Sequence, residues 1–160
     1  MDSLVSTINI ANQTIGMGHP CFVIAEAGVN HNGNLQMALA LVDKAAEAGA
    51  NAIKFQTFKT EYLFTPDAVK ASYQQQTTSA NESQFEMLKR LELSQEAHKT
   101  IFAHCNKKNI LFMSTPFEEG SADFLESLNI SVFKIPSGEI TNLSFLNHIA
   151  KKQIPLIVST

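Results

Sequence analysis

A chain of 160 residues, 44% of them hydrophobic, can build one domain with a real core and is too short for two ordinary ones. Its formal net charge of −3, with no run of Lys and Arg, excludes the broad basic face of a nucleic-acid binder. No segment approaches the roughly 20 apolar residues of a membrane span, and the start, MDSLVSTINIANQTIG, lacks a charged and then apolar leader, so a soluble, cytoplasmic protein is expected.

In chain order, TIN and QTI near the terminus suggest a small β-hairpin. CFVIAEAG then reads as a strand and NLQMALALVDKAAEAG as an amphipathic helix. Leu35, Ala38, Leu41, Val42, Ala45 and Ala46 share one face, Asn34 or Asn32 caps the start, and Gly49 stands where a left-handed C-cap is wanted. NAIKFQTF is a second strand. The connection over residues 58–83 is too long for a plain turn and reads either as a lid or as a solvated excursion with one short helix around Pro66 to Lys70. SQFEMLKRLELSQEAHKTIFAHCNKK is helical, with Ser94 ending one helix and capping the next. On the later helices Phe102 pairs with Cys105, and Leu143, Leu146 and Ile149 form a face. ILFMSTPF, VFKIPSGE and PLIVST are strands separated by the helical stretches SADFLESLN and NLSFLNHIAKKQ. Repeated β-α alternation predicts a parallel sheet.

Cys21 and Cys105 lie too far apart in sequence for a redox pair or zinc knuckle and read as small buried hydrophobes. His98 and His104 are six positions apart, do not share a helix face, and read as surface residues. In NHNGN, His31 and Asn32 serve a helix-start turn or a ligand with equal plausibility. No residues have metal-ligand spacing.

Each strand ends in polar residues: Glu26 and Asn30, Lys54 and Gln56, Ser114 and Thr115, Lys134 with Ser137 and Glu139, Ser159 and Thr160. Alternation along a strand puts Ala52, Lys54 and Gln56 on one face, with Ile53 and Phe55 on the face that helices cover. Ligands of parallel α/β sheets bind at the C-terminal strand ends, so this collection reads as a site. Lys54 and Lys134 sit inside apolar runs, Lys54 without a neighbouring carboxylate and Lys134 just before a polar turn. Either a lysine forms a Schiff base with a carbonyl substrate, or both stay charged and hold a small dianion, aided by the hydroxyls of Thr115 and Ser137. The blander readings are a Lys54 whose stem lies along an exposed strand edge and a Glu26 that only salt-bridges a lysine.

The motifs IAEAGVNHNG, IKFQTF, ESQFEMLKRLELS, FMSTPF, FKIPSGEITN and PLIVST occur in order from about residue 21 to the end. In these the chain resembles the N-terminal part of the sialic acid synthase family, which includes N-acetylneuraminate and legionaminic acid synthases. AGVNHNG, PSGEITN and the loop forms YQ and TTSANESQ are more similar to those two branches than to the pseudaminic one, and lean to the legionaminic side. The resemblance implies an α/β fold that is the N-terminal part of a (β/α)8 barrel, with five parallel strands over residues 1–160 after a small hairpin. It implies condensation of phosphoenolpyruvate with the open-chain aldehyde of an N-acylated mannosamine-type sugar, releasing phosphate by C–O cleavage. By the same resemblance Lys54, Thr115, Lys134, Ser137 and Ser159 hold phosphoenolpyruvate, and Glu26 and Glu139 stand beside the reacting centre. Phe117 and Asn81 touch the sugar. The divalent metal of the family, Mn2+ or Mg2+, has its ligands beyond residue 160, as do the remaining strands and a C-terminal antifreeze-like domain. A homodimer is expected of the full-length protein. A Schiff-base aldolase or lyase, and a non-catalytic half-barrel that offers its sheet edges to a partner, are the alternatives.

Overall fold

The computed structural model describes residues 7–63 and 83–160. Strands β1 (Thr7–Ile10) and β2 (Gln13–Gly16) form the antiparallel hairpin. One parallel sheet follows, its strands in chain order: β3 (Ile24–Gly28), β4 (Ala52–Thr57), β5 (Leu111–Pro116), β6 (Phe133–Ile135) and β7 (Leu156–Val158). Helix α1 (Leu35–Glu47) joins β3 to β4. Between β4 and β5 lie α2 (Thr60–Leu63), α3 (Gln84–Leu91) and α4 (Gln95–Lys107). Helices α5 (Glu119–Ser127) and α6 (Leu143–Ala150) make the last two crossovers, with a 3-10 turn at Ser137–Glu139 before α6. Sequential strands that are also spatial neighbours, each pair bridged by helix, are the opening five units of a (β/α)8 barrel.

Local chemistry sets the helix ends. Of the two asparagines before α1, Asn34 is the cap, accepting from the Met37 amide at 3.0 Å, while Asn32 takes a left-handed turn at φ 51°. Ser83 and Glu86 form a reciprocal capping box on α3, and the Ser94 hydroxyl accepts from the Ala97 amide at 3.1 Å to start α4.

The sheet has two unlike faces. On the helix-covered face Ile53, Phe55, Phe112, Phe133 and Ile135 are all at most 1% exposed and pack with Ala38, Val42, Ile101, Cys105 and Ile149. Phe55 stacks on Phe112 with ring centroids 5.9 Å apart, and Phe102 meets Phe112 edge-on at 5.7 Å. Each such side chain contributes about 1.5–3 kcal/mol by leaving water. On the opposite, inner face a smaller cluster of Ala52, Met113 and Val132 is closed by Ile10 from the hairpin, with Ile24, Leu111 and Ile157 against it. The hairpin therefore plugs the inner face over the N-terminal parts of the strands and leaves the C-terminal parts uncovered by it.

Two expectations change. Leu143 is 76% exposed: it occupies the first turn of α6, where the i, i+4 pair Phe145 and Ile149 makes the buried stripe instead. Cys21 is exposed, because it precedes β3 in an irregular segment and has no sheet or helix to pack under, whereas Cys105 is buried in the main core. The lid and the short helix around Pro66 to Lys70 lie outside the described residues.

Candidate functional site

Above the apolar layer the inward strand positions turn polar. Parallel register puts Glu26 opposite Lys54, Gln56 opposite Thr115, and Lys134 opposite Ile157. Neighbours on either side of both lysines, Ile53 and Phe55 for one and Phe133 and Ile135 for the other, belong to the helix-side core, so alternation turns both ammonium groups to the same inner face. The two lysines that the sequence separates by 80 positions thus belong to one site.

Lys54 does have a carboxylate neighbour. Its Nζ lies 2.7 Å from Glu26 Oε2 and 3.5 Å from Thr115 Oγ1, with Lys54 largely buried and Glu26 half exposed. The partner was hidden in the sequence because it lies on the adjacent strand. A β-bulge between Glu26 and Gly28 interrupts the β3–β4 ladder at this point, a device that re-aims side chains next to sites. Gly28 adopts φ 53°, and a Cβ there would stand 3.1 Å from Glu26 Oε1, so glycine leaves the carboxylate room to lie over the strand end.

Lys134 differs. Its Nζ donates to Ser159 Oγ and to the Ile135 carbonyl, both at 2.7 Å, and no ion pair to it occurs among the described residues. Burial first, and then the Lys54 charge, hold its pKa below the ordinary 10.5, with Glu26 acting weakly in the other direction. The site accordingly holds two cations and one nearby anion, leaving positive charge uncompensated at partly desolvated groups. A small anion would relieve it.

The remaining predicted residues surround this centre to different degrees. Thr115 is buried on the inner face. Ser137 is exposed in the 3-10 turn after β6, and Glu139 in the same turn accepts from Asn142 Nδ2 at 2.8 Å. Phe117 follows β5 and meets Phe58, which follows β4, edge-on at 6.2 Å. Asn81 lies outside the described residues. Ser114 faces away from the site, into the helix side. Among the described residues no three His, Cys, Asp or Glu side chains gather as a cation cage, and Glu26 and Glu139 are engaged by Lys54 and Asn142, so these residues do not by themselves fit a metal.

His98, expected at the surface, and His31, expected in a turn or at a ligand, are both built into the interior. His98 on α4 is 1% exposed and its environment holds its pKa below 6.5, burial being the main cause. It was misread because its buried partners, Thr57 and Ser114, come from two strands; the sequence signal was two hydroxyls at strand positions of outward parity. His104 is half-buried and bridges α4 to α1 through Asp43 at 2.8 Å. His31 is 1% exposed beneath the β3–α1 turn; its Nδ1 accepts from the Gly33 amide at 3.0 Å. Its Nε2 has no hydrogen bond of good geometry, the Gly28 carbonyl giving only an electrostatic pull, and burial followed by nearby His98 lowers its pKa. A further residue missed from sequence is Glu92, half-buried after α3, which accepts from Lys59 at 2.6 Å and the Thr60 amide at 3.2 Å and so ties down the segment leaving β4.

Two half-open clefts lie elsewhere. One of about 290 Å³, lined by Asn12, Gln13, Asn51 and Asn109 among others, is at the N-terminal strand ends. Another of about 240 Å³ lies between the segment after β4 and α5. The lysine site is on the open inner face of the sheet and does not coincide with either.

Residues 41–160 match the NeuB family. The chain is 53% identical over 145 residues to N,N'-diacetyllegionaminic acid synthase of Legionella pneumophila, covering 91% of this chain and 41% of that protein. It is 51% identical over 138 residues to the protein of the same name from Campylobacter jejuni, covering 86% and 41%. Among solved structures it superposes, with TM-score 0.81 and 33% identity, on N-acetylneuraminic acid (sialic acid) synthetase from Leptospira borgpetersenii in complex with citrate, over 95% of this chain and 48% of that one. The chain thus spans about two fifths of the length of the curated relatives it matches.

Proposed function

From its membership of the NeuB family, to which this chain belongs, we propose that the inner-face site binds phosphoenolpyruvate for condensation with an N-acylated amino-sugar aldehyde. The observation that carries the reading is the Lys54–Lys134 pair: two ammonium groups on one inner face, of which only Lys54 has a carboxylate partner among the described residues. Thr115 and Ser159 hydroxyls stand beside them. Such a set suits a ligand carrying a phosphate and a carboxylate, and Ser137 at the strand end would add a donor.

In the proposed reaction C3 of phosphoenolpyruvate attacks the sugar aldehyde and forms the new C–C bond. Water adds at C2, and the tetrahedral product collapses by breaking the C2–O bond, releasing inorganic phosphate and leaving a 2-keto acid of the nonulosonic class. Lys54 and Lys134 would hold the anion, and Glu26, which pairs with Lys54, and Glu139, in the turn after β6, would move protons at the reacting centre. Phe117 would line the sugar side, with Asn81 from the loop. We take the sugar to be the 2,4-diacetamido-trideoxy type rather than N-acetylmannosamine, following the names of the two relatives above half identity. The divalent cation, Mn2+ or Mg2+, would be held by groups other than a cluster within the described residues. A cytoplasmic homodimer completes the proposal; the exposed free thiol of Cys21 suits a reducing compartment.

The test is phosphate release by the full-length gene product given phosphoenolpyruvate, manganese and each of the two sugars. Release with the diacetamido sugar is expected, and none with either sugar refutes the reading. A Schiff-base mechanism has one observation in its favour, the lowered pKa of Lys134. Borohydride with pyruvate separates the two: mass added at Lys134 supports the imine, and an unmodified lysine supports the condensation.

A further inference from the structure

Three buried side chains on the helix side of the strand ends form a hydrogen-bond chain whose direction follows for a neutral His98, the form that its burial favours. His98 Nδ1 is 3.0 Å from the Ser94 carbonyl, which can only accept, so Nδ1 carries the proton. His98 Nε2, 3.0 Å from Thr57 Oγ1, is then the acceptor and Thr57 donates to it. With its proton committed, Thr57 Oγ1 must accept from Ser114 Oγ at 2.6 Å. Ser114, Thr57 and His98 are 0%, 6% and 1% exposed, so each loses water on folding and recovers hydrogen bonding through this chain; an unpaired hydroxyl there costs about 1–3 kcal/mol. Phe124 of α5 packs edge-on against the imidazole at 5.8 Å and fixes its plane.

The location gives the chain its meaning. Thr57 is the residue after Gln56, and Ser114 is the residue before Thr115; Gln56 and Thr115 are register partners on the inner face. The Thr57–Ser114 bond therefore crosses from β4 to β5 directly behind the position where Thr115 meets Lys54. Apolar side chains would fill this outer layer, as they do at Ile53, Phe55 and Phe112, without fixing the separation of the two strand ends to within a hydrogen bond's tolerance.

We propose that His98 is a positioning residue: acting through Thr57 and Ser114, it sets the spacing of the β4 and β5 ends and so holds Lys54 and Thr115 in the geometry that receives the anion. The inference rests on the phosphoenolpyruvate reading above. It predicts that a glutamine at 98, whose amide oxygen reproduces the Nε2 acceptor, keeps function, while an apolar residue of similar bulk does not.

The experiment compares His98→Gln, His98→Leu and the near-isosteric Thr57→Val in the full-length gene product, with calorimetric titration of phosphoenolpyruvate, steady-state kinetics and thermal melting. His98→Leu and Thr57→Val should weaken phosphoenolpyruvate binding and raise its KM on the order of 10- to 100-fold, the scale of a misplaced binding group, with the KM for the sugar unchanged. His98→Gln should restore the wild-type KM to within about threefold, and the His98→Leu/Thr57→Val double variant should be no worse than either single one, as expected of one shared path. Melting temperatures that fall while phosphoenolpyruvate binding stays at the wild-type value would overturn the positioning role and leave His98 a packing residue. If His98→Leu does not fold, Thr57→Val decides alone, since it changes no volume. Wild-type protein that fails to bind phosphoenolpyruvate would sink the anion reading and this inference with it; wild-type binding with unaffected variants sinks only the inference.

Discussion

Replacing Lys134 by Met keeps the length of the stem and removes the charge, and the structure predicts opposite effects on ligand and fold. Two unit charges about 4 Å apart at an effective dielectric near 20 attract by about 4 kcal/mol. Discounting for an inner face open to solvent and for salt leaves about 2–3 kcal/mol, the range of a charge-assisted hydrogen bond. Lys134→Met should therefore weaken phosphoenolpyruvate binding by about 30- to 150-fold. The empty fold should lose nothing. Because burial and Lys54 lower the Lys134 pKa, the charged form is less favourable in the folded chain than in the unfolded one. That penalty is fully present below the lowered pKa and fades as pH rises from there toward 10.5. At neutral pH the variant should melt at or above the wild-type temperature, and the Ile135 carbonyl that Lys134 vacates still accepts from the Ser159 amide at 3.1 Å. Calorimetric titration and thermal melting on the same samples check both halves. Binding within twofold of wild type, or a melting point several degrees lower, would refute the idea that this ammonium is held in readiness for an anion.

Glu26→Gln should leave phosphoenolpyruvate binding equal or tighter, since it removes the anion that shares Lys54, while turnover falls by about 10²–10⁴ if Glu26 moves a proton; single-turnover kinetics beside a binding titration will show whether the two separate. Gly33 takes φ 72°, and an added Cβ would collide with the Arg90 carbonyl, so Gly33→Ala combines a left-handed penalty with overpacking and should cost about 2–5 kcal/mol in urea unfolding. Gly49→Ala, at φ 77° with nothing within 4 Å, is the control and should cost only about 1–2 kcal/mol. Burial pushes the Cys105 thiol up to about 12 while Cys21 is exposed, so iodoacetamide at pH 8 should label Cys21 in native protein, and Cys105 only after denaturation, as read by peptide mapping.

Much of the local structure is written in the chain itself. The period of α1, its Asn34 cap and its Gly49 terminus depend on neighbours a few residues away, and so does the alternation that turns Lys54 from the core while Ile53 and Phe55 enter it. Repetition of such units is enough to imply parallel strands in chain order, since short crossovers leave few other arrangements. What the sequence could not express is which distant groups become neighbours. Register alone brings Glu26 to Lys54, and sheet order alone lets the Lys54 charge reach Lys134. Burial of His98 likewise depends on two strands supplying Thr57 and Ser114 behind the same helix, while Leu143 stays in water because the adjacent turn supplies Phe145 to the core. Hydrogen bonds and ion pairs fall off within a few ångströms, so they are decided by the fold's final spacing, whereas periodicity and capping are decided by covalent geometry before any tertiary contact forms.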